Sequence, residues 1–419
     1  MAPGSSRLLV AVVALLHAAA AGNGGPLTRY DRVFSFGDSL TDTGNALHLS
    51  ATTGGPASRP PYGETFFRRP TGRASDGRLV IDFLVEALGV PHPTPYLAGK
   101  TAADFRRGVN FAFGGATALD LHFFESRGLG SFVPVSLRNQ TVWFNDVLRL
   151  LGAEQRKTMA TSLFLVGEIG VNDYFIGLNE NRTVGEVETF VPHVVSAIRS
   201  VVTDVIAAGA SAVLVPGMIP LGCEPQLLTL YRGSVDAAGY DPESGCITRL
   251  NGLAELHNRE LRRALGGLRR AHPGTTIVFA DLYRAVTDII VSPREYGAHA
   301  LRARNRQQIS SFPCFVPDRF LISSSHAGFR HRPLDACCGG GGGAYNYDDA
   351  AFCGAAGAAA CADPSEYVSW DGVHYTEAAN RLVACSVLQG SHSHGADAMT
   401  TLSNSSATTE DWLHRIGCV

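Results

Sequence analysis

Four short apolar runs, separated by longer stretches with helical periodicity, constrain the possible folds of this 419-residue chain more than any other feature. The strand-like runs lie at residues 33–36, 163–166, 212–215 and 276–279. The helical patterns lie at residues 79–88, 142–151, 191–208 and 246–268. Strands that alternate with helices are joined by crossover connections, so they lie parallel in one sheet whose two faces are covered by helices. The sequence therefore predicts an α/β fold with a parallel central sheet.

The composition is compatible with one large buried core. Hydrophobic residues make up 45% of the chain and charged residues 17%. Because no internal repeat or linker divides the chain, we expect a single domain over residues 22–390. The formal charge of −3 gives no reason to expect nucleic acid or an anionic membrane surface as a partner.

Residues 1–21 have the three parts of a secretory signal peptide. Arg7 supplies the positive charge, residues 8–16 the apolar stretch, and residues 18–21 the small side chains that signal peptidase prefers. The apolar stretch is too short to span a membrane. We expect cleavage near Ala21 or Gly22, and a mature protein without an integral membrane segment. Its destination would be the extracellular space or cell wall, with the Golgi as the alternative on the same route.

Residues 298–328 depart from the α/β pattern, because they show no periodicity and loops of this length are uncommon inside compact domains. Their final string, FLISSSHAG, could be encoded by pyrimidine-rich codons followed by CAG, as at the 3′ end of a plant-type intron. We interpret the segment as translated intron sequence, with a genuine surface loop as the alternative. The composition of residues 391–419 predicts a disordered tail. His392 and His394 within it could bind a metal, but we interpret them as solvent-exposed side chains.

The nine cysteines predict disulfides, since most should pair in an oxidising compartment. Their connectivity stays open at this point, and Cys314, inside residues 298–328, is the one that would be lost with that segment. A zinc site is the alternative for the four cysteines within residues 337–361, but they lack the repeated Cys-x-x-Cys spacing of such sites. Three sequons, at Asn139, Asn181 and Asn404, are consistent with glycosylation on the secretory route.

Two short motifs near opposite ends of the chain carry hydrolytic chemistry. Gly37-Asp38-Ser39-Leu40 follows the first strand-like run, where a side chain can reach the edge of the sheet at which ligands collect. Asp371-Gly372-Val373-His374 places a carboxylate three residues before an imidazole. A serine nucleophile, a histidine base and an acid that orients the base form a triad that is defined by roles and not by chain order. The motifs therefore predict a serine hydrolase.

Two glycine-containing segments could supply donors to an oxyanion. Residues 108–117 contain the pair Gly114-Gly115, where a backbone N–H can approach a ligand closely. Residues 167–174 follow the second strand-like run and include Asn172. Ester hydrolysis passes through an anionic tetrahedral intermediate, and each preorganised donor contributes about 3–4 kcal/mol to its stabilisation.

Taken in order, these blocks resemble those of the SGNH hydrolases, and the chain resembles the plant GDSL esterase/lipase family within that superfamily. The resemblance extends from Tyr30 to about Cys385 and includes FSFGDSLTDTGN at 34–45, PLGC at 220–223, ACCGG at 336–340 and WDGVHYT at 370–376. It implies a flavodoxin-like three-layer α/β/α sandwich, the SGNH hydrolase fold. It also implies Ser39 as nucleophile, His374 as general base and then general acid, and Asp371 as the residue that orients His374.

The same resemblance implies an oxyanion hole made by the backbone N–H groups of Ser39 and Gly115 and the side-chain amide of Asn172. Gly114 is the alternative to Gly115, depending on how that block aligns. No metal or cofactor is implied. Asp42 and Asp173 lie near the expected site, and we interpret them as structural residues that hold loops through hydrogen bonds.

The expected substrate is an acyl ester, either a small molecule or a polysaccharide. A short acyl group is favoured, such as O-acetyl on a cell-wall polysaccharide, because no long apolar segment suggests a lid for a lipid interface. Acyl transfer to another alcohol and lipase action on longer chains use the same residues and are the alternatives. A non-enzymatic binding protein of this fold is disfavoured because Ser39, Asn172 and His374 are all present. The ordinary α/β-hydrolase fold is disfavoured because Ser39 lacks a Gly-x-Ser-x-Gly elbow.

Overall fold

The computed structural model describes residues 30–49, 54–293, 329, 333–390 and 409–418. At its centre lies a sheet of six strands: β1 (Arg32–Phe36), β2 (Thr94–Pro95), β3 (Gly108–Asn110), β4 (Ser162–Val166), β5 (Ala212–Pro216) and β6 (Thr276–Ala280). Their order across the sheet is β2-β3-β1-β4-β5-β6, and every neighbouring pair is parallel. A separate two-stranded antiparallel ribbon pairs β7 (Cys338–Gly339) with β8 (Ala359–Ala360).

Helices flank the sheet. They are α1 (Val80–Leu88), α2 (Leu121–Glu125), α3 (Leu137–Leu151), α4 (Gln155–Ala160), α5 (Val171–Asn179), α6 (Val184–Glu188), α7 (Val191–Ala208), α8 (Pro225–Tyr231), α9 (Thr248–Ala271), α10 (Leu282–Val291), α11 (Glu377–Gln389) and α12 (Thr409–Arg415). Successive residues of a strand face opposite sides of a sheet, and β4 shows both layers. Phe164 packs edge-to-face on Phe144 of α3, with ring centroids 6.1 Å apart. Leu165 faces the opposite layer, formed by α1, α10 and α11. The expected α/β sandwich with a parallel central sheet is confirmed.

All four strand-like runs are strands of the sheet, each one residue longer than expected. Strands β2 and β3 were not predicted from the sequence, because two or three residues are too few to show a period. The first residue of β3 must be glycine: at Gly108, with φ +100°, a Cβ would lie 2.1 Å from the carbonyl oxygen of Val33 in β1. This close approach of two backbones is a common reason for glycine in a strand.

Helix α7 has the expected bounds, and α1 begins one residue later than expected, whereas α3 and α9 differ by more. α3 begins at Leu137 and not at residue 142, because Ser136 and Asn139 close its first turn. The Asn139 Oδ1 atom accepts hydrogen bonds of 2.9 Å from the backbone N–H and the hydroxyl of Ser136. α9 begins at Thr248, two residues later than expected, and extends to Ala271.

One helical segment among the described residues, 184–208, is long and apolar enough to cross a membrane by length and composition. It comprises α6 and α7, and α7 buries its apolar side chains against β4 and α9. A core helix of an α/β fold meets the same criteria.

Four disulfides join eight cysteines: Cys223–Cys246, Cys337–Cys361, Cys338–Cys353 and Cys385–Cys418. The expected disulfide bonding is confirmed, and the zinc alternative for residues 337–361 is wrong because all four thiols there are bonded to one another.

The expectation of disorder over residues 391–419 is wrong for its last part. α12 packs on α1 and α11, buries Leu413 and Ile416, and is joined to α11 through Cys418. The polar composition that precedes α12 concealed this short helix, and sequence alone did not show which cysteine Cys418 meets.

Several expectations lie outside the described residues: the signal peptide at 1–21, the segment 298–328, His392, His394 and Asn404. The described chain does show where the suspected insert attaches. The backbone N–H of Phe329 donates to the carbonyl oxygen of Pro293 at 3.3 Å, so the two flanks of residues 294–328 lie side by side. Extra residues at such a place cost little loop-closure entropy, and the intron interpretation stays a prediction.

Candidate active site

Ser39 lies in the turn that follows β1, at the carboxyl edge of the sheet. The turn is held from two sides. The backbone N–H groups of Thr41 and Asp42 donate to the carbonyl oxygen of Asp38 at 3.1 and 2.8 Å. The buried side chain of Gln140 binds both backbone groups of Gly37, accepting at 3.0 Å and donating at 2.7 Å. The serine hydroxyl is therefore presented on a rigid backbone.

Three side chains predicted from the sequence meet at this edge. The Ser39 Oγ atom lies 2.7 Å from His374 Nε2, although the two residues are 335 positions apart. His374 Nδ1 lies 2.7 Å from Asp371 Oδ2. Since Nδ1 faces a carboxylate, it carries the proton, and Nε2 is left to accept the proton of the serine. The arrangement can move a proton from Ser39 to His374.

Asp371 has more partners than the motif indicates. Its Oδ1 atom accepts hydrogen bonds from the backbone N–H groups of Val373 and His374 at 3.0 and 2.9 Å. Its Oδ2 atom, besides facing His374, accepts the hydroxyl proton of Tyr62 at 2.7 Å. Tyr62 is buried against Trp370, with ring centroids 5.8 Å apart. Tyr62 was not predicted from the sequence, because it stands in no motif and reaches Asp371 only through the fold.

The electrostatics of the pair follow from these contacts. Burial alone would raise the pKa of the Asp371 carboxyl, but the charge and hydrogen bond of His374, the Tyr62 hydroxyl and the loop backbone together lower it. Burial likewise opposes the charged form of His374, yet the carboxylates of Asp371 and Asp38 outweigh it and raise its pKa from 6.5. Asp371 is therefore ionised at neutral pH, whereas His374 titrates above its ordinary range.

The loop that carries Asp371 and His374 is fastened to the disulfide-linked segment before it. The backbone N–H of Cys337 donates to the carbonyl oxygen of Ser369 at 3.0 Å, and that of Cys338 donates to Trp370 at 2.6 Å. The ring of Tyr347 packs directly on Gly372, where a Cβ would lie 2.2 Å from the ring and φ is +95°. Glycine is thus required at the centre of the loop.

Donors for an oxyanion lie beside Ser39. Within the described part of the chain, the backbone N–H groups of Ser39 and Gly115 have no hydrogen-bond acceptor. The N–H of Gly114 is occupied, because it donates to Asp42 Oδ2 at 2.9 Å. The Asn172 amide nitrogen donates to the carbonyl oxygen of Ala116 at 2.9 Å and to Asp38 Oδ2 at 3.3 Å.

The two acidic residues interpreted as structural do hold loops. Asp42 accepts hydrogen bonds from the backbone N–H groups of residues 44, 45 and 46 as well as from Gly114. Asp173 accepts from Ala118 and Leu119 at 2.8 and 3.0 Å. Both carboxyl groups are buried, which raises their pKa, that of Asp173 to about 7.

Two of the predicted glycosylation residues lie in the described part of the chain. Asn139 is exposed in the first turn of α3, and Asn181 is exposed in the turn after α5. Among the described residues, no group of three or more His, Cys, Asp or Glu side chains is arranged to hold a metal ion.

Comparison with known proteins identifies the family. Residues 33–387 match the family described as GDSL-like lipase/acylhydrolase. A GDSL esterase/lipase of Arabidopsis thaliana is 42% identical over 366 residues, which cover 86% of this chain and 82% of that protein. The sinapine esterase of Brassica napus is 39% identical over 388 residues, which cover 91% of each chain. With its SGNH-type fold and a serine, histidine and aspartate in contact, the chain belongs to the GDSL-like lipase/acylhydrolase family and is a carboxylic-ester hydrolase.

Proposed function

We propose that Ser39 is the nucleophile of this esterase, with His374 as its base and Asp371 as the residue that orients the base. The observation that carries the proposal is the unbroken chain of two 2.7 Å contacts from Ser39 Oγ through the imidazole to the Asp371 carboxylate. As Ser39 attacks the acyl carbonyl, its proton passes to His374 Nε2. The alcohol leaves with that proton, and water then attacks the acyl-enzyme with His374 again as base.

The oxyanion of each tetrahedral intermediate would be bound by the backbone N–H groups of Ser39 and Gly115 and by the Asn172 amide. The free N–H of Gly115, beside the occupied N–H of Gly114, supports the choice between these two glycines. The 3.3 Å contact of Asn172 with Asp38 is long for a hydrogen bond to a carboxylate. Its hydrogen is therefore the one that Asn172 would offer to the oxyanion.

The substrate that we propose is an ester with a short acyl group, with O-acetyl on a cell-wall polysaccharide as the leading case. One feature beside the site supports a small acyl group. The side chains of Val133 and Phe132 lie 3.1 and 3.7 Å from the position of a Cβ at Gly115, so they limit the room beside the proposed oxyanion donor.

Sinapine is a second candidate substrate, because one relative that covers nearly the whole chain is a sinapine esterase. Phe132, which is half exposed next to Gly115, would offer a larger ester an aromatic surface. Acyl transfer to a second alcohol is the remaining alternative, and it would use the same acyl-enzyme.

The site of action that we propose is the secretory pathway and the extracellular space or cell wall. Four disulfides among the described residues support it, since such bonds persist in oxidising compartments. The exposure of Asn139 and Asn181 would make both accessible to glycosylation.

The test measures acid release from acetylated xylan and from sinapine, using protein from a secretory host. Ser39→Ala removes the nucleophile, and Ser58→Ala, whose hydroxyl only donates to the carbonyl oxygen of Gly55, is the matched control. Acetate release by wild type and Ser58→Ala but not by Ser39→Ala would support the leading substrate. Release from sinapine alone would replace it with the second candidate, and full activity of Ser39→Ala on either substrate would refute the proposed site.

A further inference from the structure

Two buried carboxyl groups beneath Ser39 take no part in the hydrolysis mechanism. Asp38 directly precedes the serine, and Glu168 follows β4 on the neighbouring strand of the sheet. Their side chains are 0% and 2% exposed. Asp38 and Glu168 each lie two residues beyond Phe36 and Val166, which are paired across β1 and β4, and each carboxyl acts on the pKa of the other. Two neighbouring buried carboxyl groups disfavour double ionisation, so we expect the pair to hold a proton.

The surroundings show which of the two carries that proton. Asp38 has donors on both oxygens: the backbone N–H of Leu40 at 3.0 Å on Oδ1 and the Asn172 amide at 3.3 Å on Oδ2. Both carboxyl oxygens of Glu168 are without a hydrogen-bond partner among the described residues, although the nearby backbone N–H of Val171 lowers its pKa. These donors favour the charge on Asp38.

Glu168 lines a small cavity of about 30 Å³. The other described residues that line it are apolar or uncharged and include no Lys, Arg or His that could offset a charge. An ionised carboxylate buried without donors or a counter-ion is costly, and such a group stays protonated instead. Asp38 is the charged neighbour that acts most strongly on the pKa of Glu168, which makes its carboxylate the candidate acceptor for the proton.

We propose that Glu168 is a neutral carboxylic acid that donates its proton to Asp38, and that this pair positions the Asn172 amide and places a single negative charge near His374. The proposal rests on the proposed roles of Asn172 and His374. Asp38 and Glu168 are positioning residues, because neither touches the reacting atoms.

The shared proton matters because Asn172 has two amide hydrogens and both are already directed at acceptors. Ala116 holds one firmly at 2.9 Å, and Asp38 holds the other loosely at 3.3 Å. A hydrogen bond from Glu168 draws charge away from the Asp38 carboxylate, so the loosely held hydrogen can turn to an oxyanion. A lone buried carboxylate would retain that hydrogen and would repel the oxyanion charge.

The groups that face the pair define its expected pH behaviour. Asp38 faces Glu168, His374 and Asp173, and Glu168 faces Asp38, Asp173 and the neutral tyrosines Tyr174 and Tyr375. Burial raises the pKa of Asp38 to about 7 and that of Glu168 well above its usual range. The charge on Asp38 in turn raises the pKa of His374.

The first experiment compares Glu168→Leu with Glu168→Gln, using p-nitrophenyl acetate as the probe ester. Leucine removes the donor to Asp38, so we expect kcat to fall about 10- to 100-fold while KM stays within about twofold of wild type. A loss confined to kcat indicates that a donor to the transition state is misplaced. Glutamine restores an N–H donor to Asp38 and should recover kcat to within about fivefold of wild type. Equal losses in the two variants, or no loss in Glu168→Leu, would overturn the proposal.

The second experiment measures the acid limb of kcat/KM in Asp38→Asn, which removes the charge but keeps an acceptor for Leu40. The limb should move to lower pH, because His374 loses a carboxylate that raises its pKa. Glu224→Gln is the matched control: Glu224 is equally buried, with its pKa raised to about 8 by burial, and its carboxyl binds Tyr375. An unmoved limb in Asp38→Asn, or an equal shift in the control, would overturn the proposal.

Two further measurements separate this proposal from the assignment of the site. An infrared band of a protonated carboxyl group should be present at pH 7 and weaker in Glu168→Gln, and its persistence at full strength counts against a neutral Glu168. Ser39→Ala is assayed in parallel. Activity in Ser39→Ala would refute both the proposed active site and the proposed role of the Asp38–Glu168 pair. An inactive Ser39→Ala together with an unmoved acid limb in Asp38→Asn would refute the role of the pair alone.

Discussion

Tyr62→Phe removes one hydroxyl whose effect can be calculated from its surroundings. The hydroxyl donates at 2.7 Å to an Asp371 carboxylate that is ionised, and both residues are buried. A hydrogen bond to a charged group contributes about 1.5–3 kcal/mol to the free energy of unfolding. With an unfolding entropy of about 2.1 cal/mol/K per residue, this loss lowers Tm by roughly 2–4 °C for a chain of this length.

The pH dependence of that loss identifies its cause. Because the folded-state pKa of Asp371 is depressed, its contacts stabilise the protein above the unfolded-state pKa of about 3.9, and the stabilisation disappears as pH falls through the lower folded-state value. Differential scanning calorimetry at matched scan rates should therefore give the full Tm difference at pH 7 and a smaller one at pH 3. An equal difference at both pH values would refute the reasoning, because it would indicate lost packing and not a lost bond to a carboxylate.

The same substitution should change the activity profile. Without the tyrosine, the Asp371 carboxylate interacts more strongly with His374, so the pKa of His374 rises further. The acid limb of kcat/KM should consequently move to higher pH, and a limb that stays in place or moves down contradicts this account. Tyr174→Phe is the matched control. Its buried hydroxyl meets Nδ1 of His257 at 2.8 Å, and burial lowers the pKa of that histidine to about 3. We expect a loss of about 0.5–1.5 kcal/mol that is equal at pH 7 and pH 4, with no shift of the limb.

Three further outcomes are expected. Gly115→Ala should lower kcat about 100-fold, because φ is +82° there and the proposed donor would move. Gly114→Ala has room for its Cβ, and its kcat should fall less than about fivefold. Similar losses of kcat in the two variants would contradict Gly115 as the donor. In the wild type, kcat/KM should fall as pH drops through a pKa above 6.5, since His374 must be neutral to act as base, and a limb below 6.5 would show that the neighbouring carboxylates do not act on it. The double variant Cys385→Ser/Cys418→Ser opens a loop of 33 residues. Loop-closure entropy predicts that the free energy of unfolding falls by about 3–4 kcal/mol, which should be measured as a lower Tm with kcat unchanged. An altered kcat would mean that α12 acts on the site.

The parts of the fold that sequence predicted are those with a local signal. Four runs of alternating strand and helix character were enough for the parallel sheet, and two motifs were enough to bring Ser39, Asp371 and His374 to one edge. Strands β2 and β3 escaped because they contain too few residues to show a period. α12 escaped because its attachment depends on a disulfide between residues 33 positions apart.

The finer features of the site depend on tertiary contacts that leave no pattern in the chain. Tyr62 lies 309 positions from Asp371 and became visible only when the fold placed its hydroxyl on the carboxylate. The choice between Gly114 and Gly115 was likewise open, because it turns on whether Asp42 occupies the first N–H. The proton shared by Asp38 and Glu168 is inferred from donors that one carboxyl has and the other lacks.

The disulfides Cys337–Cys361 and Cys338–Cys353 have a consequence for when the enzyme becomes active. The backbone N–H groups of Cys337 and Cys338 hold Ser369 and Trp370, directly before Asp371, so the acid and base are attached to a disulfide-linked frame. Reduction of the two bonds would loosen this frame and with it the alignment of His374 with Ser39. We therefore expect esterase activity to fall on reduction and to depend on the oxidising conditions in which such bonds persist.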